Sequence, residues 1–277
     1  MRPTTLFHYT SVAGLKGIIE SKTIWATDAQ YLNDAQELQF GREELYEAMM
    51  AQAEKLFPIA MNDDGSAKNS MATILRSAAG QLKPGSSAFL AQTDHFVYVA
   101  CFCEKGDLLS QWRAYGTAGG FAIGFKSEAL AEAVLTGEDV HLKQVLYGEQ
   151  AKINMVNRVV PLIAPTPRGH PGTSGYFQAR RVAFPALAAI KNEAFAEERE
   201  WRLLVAGTSD LAGLNFRVGS LGLIPFVELG YDKSAVTEVV VGPGEHQELR
   251  KEAVSRLLKL NGFNEIKVRV SSAPFRG

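Results

Sequence analysis

The chain has 277 residues, 46% of them hydrophobic and 21% charged, and 29 Lys+Arg against 30 Asp+Glu leave a net charge of −1. It is too apolar for a disordered chain and too balanced to hold nucleic acid by bulk charge. The richest apolar segment, Leu221 to Leu229, is broken by Pro225 and Glu228 and falls short of the roughly 18 residues a membrane helix needs; Met1 to Thr5 lacks a signal peptide's apolar stretch, so the expectation is a cytoplasmic protein with no membrane partner.

Leu6-Phe7-His8-Tyr9 reads as a first strand, and Thr10-Ser11 then offers an N-cap for a helix over Val12 to Glu20, with Leu15, Ile18 and Ile19 on one face. Ile24 to Thr27 is a second short strand. Helical spacing recurs from Ala35 to Phe57 and again from Ala67 to Gln81, separated by the polar Asn62 to Ser70 stretch. His95 to Cys103 is apolar on both faces after His95 and predicts a central buried strand. Gln111 to Gly116 follows a Gly106-Asp107 turn and is read as a segment between strands. Next come a strand over Phe121 to Phe125, a short capped helix over Ser127 to Val134 and a strand over Leu142 to Tyr147.

Pro161 to Gly175, rich in Pro and Gly, is expected to be an irregular loop. Phe177 to Glu197 carries a long helical pattern with Pro185 as kink or break. Strands are expected at Trp201 to Val205, Phe216 to Val227, Val236 to Val241 and Ile266 to Val270, with an amphipathic helix from His246 to Leu260. Helices crowd the first half and strands the second, without regular βαβ order. The pattern predicts one α+β domain over residues 1–277, with a mainly antiparallel sheet core and peripheral helices.

Two cysteines, Cys101 and Cys103, can make no disulfide framework and are read as packed core residues; no metal-ligand spacing is present. No GxGxxG, GxxxxGK[ST] or GxSxG occurs, and Gly242-Pro243-Gly244 is read as a strand-to-helix turn. Three polar groups remain. His8 leaves a strand just before a capped helix. Trp112, Arg113 and Tyr115 set amphipathic aromatics around a guanidinium. In Glu198-Arg199-Glu200-Trp201-Arg202, a period of two would point Glu198, Glu200 and Arg202 to one face. Each also suits a plain structural role: a backbone hydrogen bond for the histidine, core or rim packing for the aromatics, local ion pairs for the charges.

Taken together, His8-Tyr9-Thr10-Ser11, Leu32 to Glu37, Ala100-Cys101-Phe102-Cys103, Gln111 to Gly116, Phe121 to Phe125, Glu198 to Arg202 and Val239 to Pro243 resemble the bacterial domain-of-unknown-function 2971 family, from Phe7 to about Arg276. A Ser often follows the Cys-Phe pair in that family where Cys103 stands here. Residues 48–93 look like a helical insertion. More distantly, the order of His8, the Trp112–Tyr115 segment and Glu200 resembles the ADP-ribosyltransferase fold, whose split antiparallel sheet holds NAD in a cleft. That resemblance implies an NAD-dependent transferase, or an NAD glycohydrolase, with a protein or nucleic-acid acceptor and no metal. Glu200 would face the ribose cation, Glu198 would act on the acceptor, and His8 would hold a ribose hydroxyl. Tyr9 or Tyr115 would stack on nicotinamide, Arg113 and Arg202 would pair the pyrophosphate, and Thr10 and Trp112 would complete the NAD site. The rival expectation is a non-catalytic module binding a partner or nucleic acid. Seven Lys/Arg against two Glu over residues 250–277 favour that rival locally.

Overall fold

The computed structural model describes residues 2–32, 35–56, 71–82, 95–115, 119–132, 140–154, 157–158, 160, 185–208, 213–219 and 221–274. The expected loop at 161–175 lies outside them, as do residues 57–70, which include the expected loop at 62–70.

The fold is α+β, with a mainly antiparallel open sheet. Its strands are β1 (Thr5–Thr10), β2 (Thr23–Asp28), β3 (His95–Cys103), β4 (Phe121–Lys126), β5 (Val140–Gln144), β6 (Leu146–Tyr147), β7 (Ile190–Lys191), β8 (Glu200–Thr208), β9 (Leu214–Gly219), β10 (Gly222–Gly230), β11 (Val236–Val241) and β12 (Lys267–Val270). The helices are α1 (Val12–Ser21), α2 (Ala35–Leu56), α3 (Met71–Leu82), α4 (Leu109–Tyr115), α5 (Ser127–Ala131), α6 (Gly148–Asn154) and α7 (Gln247–Leu260). The main sheet runs β12-β11-β4-β1-β3-β2-β10-β9, with β8 against β3 and β5 against β8; β6 and β7 pair separately. Among the described residues its one parallel pairing, β11 with β12, follows from the crossover through α7.

Strand β3 organises the sheet. One of its edges pairs with β8 from His95 to Cys103. The other edge is shared: β2 takes Tyr98 and Val99, and β1 touches only at Phe7↔Cys103. The sheet therefore forks along residues 100–102. His8 stands at the fork, where its Nδ1–H donates to the Cys101 carbonyl at 2.9 Å in place of a ladder amide.

Apolar alternation places one core on each face. Trp201, Leu203 and Val205 join Leu6, Phe102, Phe125 and Val227 under α1 and α7. Val97, Val99 and Leu204 face Leu45, Met49, Leu75 and Ile190 on the α2–α3 side. A third cluster, Phe7, Tyr9, Cys103, Trp112, Ala122 and Val240, anchors α4. Around it the Tyr9 hydroxyl donates to the Lys105 carbonyl (2.8 Å) and accepts from the Leu108 amide (2.9 Å). Asp107 accepts from Trp112 Nε1 (2.7 Å), from the Ser271 hydroxyl, and from the amide (2.8 Å) and hydroxyl (2.9 Å) of Ser272. This clasp ties the loop before α4 to the C-terminal strand. The Gly242 turn packs so closely that a Cβ there would lie 2.7 Å from the Gly120 carbonyl and 2.9 Å from the Trp112 ring.

Gln111 to Tyr115 lies between strands as expected and is helical, because Asp107 and Tyr9 turn the chain into α4 after β3. Several expectations change. No long helix spans the described part of Phe177 to Glu197: a helical turn at 185–187 gives way to β7, then to a 3-10 turn over Glu193–Glu198 capped by Asn192. Phe216 to Val227 is a hairpin, reversed at Leu221-Gly222, where Gly222 takes φ 97°. Leu142 to Tyr147 divides into β5 and β6.

Asp28, 2% exposed at the end of β2, yields a prediction. Burial pushes its carboxyl up from 3.8 to about 6, against the opposing effect of the Gln30 amide it accepts from. A carboxyl raised on folding contributes stability below the unfolded value, and that contribution is lost as pH rises through about 6. Asp28→Asn keeps the acceptor and does not titrate. It should gain on the wild type by about 3 kcal/mol between pH 4 and pH 8, measured by denaturant unfolding across that range.

Candidate functional site

The Glu198–Arg202 segment forms an ionic network at the end of β8. Glu200 is 3% exposed. Its Oε1 accepts from Arg202 Nε at 2.6 Å, and its Oε2 accepts from Arg202 Nη2 and Lys191 Nζ, both at 3.1 Å. Lys191 Nζ also donates to Glu198 Oε2 at 2.8 Å and lies 4.7 Å from the Phe195 ring centre. Arg202 Nη1 donates to the Ala188 carbonyl at 2.7 Å, and the Glu200 amide donates to the Tyr147 hydroxyl at 2.9 Å. Burial pushes the Glu200 carboxyl up, but the Arg202 charge and hydrogen bonds, then Lys191 and the Cys101 thiol, outweigh it and hold the carboxyl at about 2.

Glu198 and Glu200 do meet, though not as a strand repeat. Glu198 ends the 3-10 turn, and Arg199 adopts a left-handed φ of 44° before the strand starts at Glu200. The turned chain brings both carboxylates onto one ammonium. From Glu200 onward the period of two holds: Glu200 and Arg202 face one way, Trp201 and Leu203 the other.

Tyr115 joins this neighbourhood from the end of α4. The residue is 42% exposed, while burial and then the negative charges of Glu200 and Glu198 push its phenol up against the pull of Lys191. Cys101 connects the fork to the network, since its carbonyl accepts from His8 and its thiol donates to Glu200. Burial lowers the His8 pKa more than the Cys101 bond raises it. The ring is therefore neutral at neutral pH, with its proton on Nδ1 and its lone pair on Nε2. Cys101 is half-buried and Cys103 buried; burial, then Glu200, pushes the Cys103 thiol up, which makes it a poor nucleophile.

The other candidates lie elsewhere. Tyr9 and Trp112 stack edge to face at 4.7 Å in the α4 anchor, with their polar atoms committed to the loop before it. Thr10 is buried at the end of β1, and Arg113 is exposed on α4 beside Trp112. Arg202, expected toward a pyrophosphate, is 2% exposed and bound to Glu200 and Ala188. Lys191 and Tyr147 were not legible as site residues: a single lysine after an apolar run and a tyrosine before a glycine carry no motif. Among the described residues no group of three or more His, Cys, Asp or Glu is placed to hold a metal, and no helix is long and apolar enough to cross a membrane.

The basic C-terminal segment is largely engaged within the protein. Arg250 donates to the Gly242 and Gly120 carbonyls, both at 3.1 Å. Lys251 pairs with Glu248, Arg256 with Glu252, and Arg269 with Glu238.

The fold and site define an α+β protein whose forked antiparallel sheet carries a buried charge network beside the fork. Residues 111–203, from α4 through the network to β8, match a family described as protein of unknown function (DUF2971). No curated protein and no solved structure matches the chain.

Removing the central charge tests the network. Glu200→Gln leaves Arg202 and Lys191 buried beside a neutral amide and should cost about 3–5 kcal/mol. A depressed carboxyl contributes stability above its unfolded value, lost as pH falls from 4.5 toward 2. Thermal unfolding should therefore show the largest gap between wild type and variant above pH 5, shrinking as the solution is acidified.

Proposed function

We propose that the chain is an NAD-dependent ADP-ribosyltransferase-like enzyme that modifies a protein or nucleic-acid acceptor. The observation that supports this reading is one shared neighbourhood. Glu198 and Tyr115, both partly open to solvent, stand with buried Glu200 and Lys191 beside the fork that His8 fills.

In the reaction, the bond between nicotinamide and the ribose anomeric carbon breaks, and nicotinamide leaves with the electron pair. Positive charge develops on the sugar, as in glycoside cleavage. The acceptor nucleophile then bonds to the anomeric carbon and gives up its proton. A carboxylate beside the sugar gains most in the transition state.

Both oxygens of Glu200 are occupied by cations, whereas Glu198 sits at the rim, 13% exposed against 4% for the Glu200 side chain. Glu198 is therefore assigned to the ribose cation. Glu200, Lys191 and Arg202 act as positioning residues that hold its charge in place. Neutral His8 offers Nε2 as an acceptor for a ribose hydroxyl. Tyr115 supplies a stacking face for nicotinamide, and exposed Arg113 a guanidinium for phosphate. Tyr9, Trp112 and Thr10 support α4 and the fork.

A second reading is a non-catalytic partner-binding module. It is favoured by the mutual satisfaction of Lys191, Glu198, Glu200 and Arg202, which explains their burial without any ligand. Nucleic-acid binding through the C-terminal segment has less support, because carboxylates and carbonyls already engage four of its basic residues.

The two readings separate on nicotinamide release from NAD incubated with the purified chain and cell extract. Glu198→Gln should slow release by about 100- to 1,000-fold with little change in NAD affinity. Tyr115→Ala should raise KM more than it lowers kcat. Wild-type protein that neither binds NAD by calorimetry nor releases nicotinamide leaves the binding-module reading standing.

A further inference from the structure

The β9–β10 hairpin ends the sheet opposite β12, and among the described residues β9 has β10 as its single strand neighbour. Every second residue of β9 therefore turns its amide and carbonyl toward an open edge. Natural sheets protect such edges with charges, prolines or bulges. β9 has little of this protection. Its sequence is Leu-Asn-Phe-Arg-Val-Gly, and its one charge, Arg217, leans inward to within 3.5 Å of the Thr27 hydroxyl. Large apolar side chains crowd the same arm: Phe216 is 58% exposed, Val218 86%, Leu221 65% and Leu223 65%. The register Val218↔Leu223 and Phe216↔Pro225 places Phe216, Val218 and Leu223 on one face, continuous with the buried side of Val227. The core thus runs out along the hairpin into solvent, an arrangement that marks an interface.

We propose that β9 pairs antiparallel with β9 of a second copy, joining two sheets across a two-fold axis at Phe216. Opposed residues in an antiparallel pair share a face, so the axis must pass through a residue, and the side chains select which one. An axis at Arg217 leaves Leu214 beyond the ladder, because β9 ends at Gly219. An axis at Asn215 leaves Val218, the most exposed apolar residue of the arm, beyond the ladder. An axis at Phe216 opposes Phe216 to its own copy and Leu214 to Val218 on the apolar face. On the other face it opposes Asn215 to Arg217, whose guanidinium lies inward by Thr27, so no like charges meet. The surface fits itself in that register, which favours a second copy over a foreign strand. This inference is independent of the NAD reading.

Sedimentation of the full chain over a concentration series tests it. The wild type should dimerise reversibly. Asn215→Lys opposes Lys to Arg217 twice in each dimer and should weaken association by about tenfold, while Asn215→Asp creates two opposite-charge pairs and should strengthen it. Under mild oxidation Phe216→Cys should cross-link to its own copy, since facing Cβ atoms lie about 4.5–5.5 Å apart, and Arg217→Cys should do so far less. Asn215 and Phe216 are exposed and Arg217 is half-buried, and circular dichroism of each variant should match the wild type. Three outcomes overturn the proposal: a chain that stays monomeric to its solubility limit, a dimer indifferent to charge at 215, or cross-linking stronger through 217 than through 216. A monomer that binds an extended foreign peptide along β9 overturns it as well.

Discussion

Two strands compete for one edge of β3, and the rest of the molecule is arranged around that constraint. A full-length partner, β8, occupies the other edge, so β1 and β2 divide what remains and cannot both pair along it. Between them the backbone would be left without donors at Cys101, a costly omission in a half-buried strand. His8 supplies the missing donor from a side chain. The bond fixes which imidazole nitrogen carries the proton, while burial lowers the ring's basicity against the bond's own opposite effect. Fold and chemistry meet in that hydrogen bond.

The ionic network depends on the fork as well. Burying a carboxylate such as Glu200 is tolerated only where cations and further hydrogen bonds replace its water. Three chain segments supply these: Lys191 from β7, Arg202 from β8 and Cys101 from β3, while Glu198 from the 3-10 turn shares the Lys191 ammonium. The left-handed backbone at Arg199 is the local device. Tyr147 closes the base of the network through the Glu200 amide. Tyr115 reaches it from α4, whose own position rests on the Asp107 clasp and the Tyr9 hydroxyl.

The elements that read correctly are those in which burial alternates or recurs along the local chain. β1, β2, β3, β4, β11, α1, α2 and α7 carry their apolar period within a few residues, and periodicity is enough to place them. The segment of α4 is legible only as a stretch between strands, because seven residues hold barely two helical turns and its helicity is enforced by Tyr9 and Asp107 from outside the segment. The apparent long helix before Glu198 failed for the opposite reason. An alanine-rich stretch has helical propensity, yet Ala189 and Ile190 are claimed by pairing with β6. Among the candidate residues, the meeting of Glu198, Glu200 and Arg202 was legible because they lie within five positions. The shared ammonium of Lys191 was not, since nothing in its sequence surroundings distinguishes it from a surface lysine.

By itself, then, the sequence determined the class of the fold, most strand and helix cores, the two-sided burial of β3, and which short segments hold polar groups that burial would make costly. All of these follow from side-chain periodicity, which is a property of neighbours in the chain. Tertiary structure alone decided which polar groups share a neighbourhood and which are spent on support. It set Tyr9 and Trp112 to hold α4, set Arg202 against Glu200, and left Glu198 and Tyr115 at the rim. The physical reason is that desolvation is settled by whatever packs across the strand edge, and those contacts lie tens to hundreds of residues away in the chain.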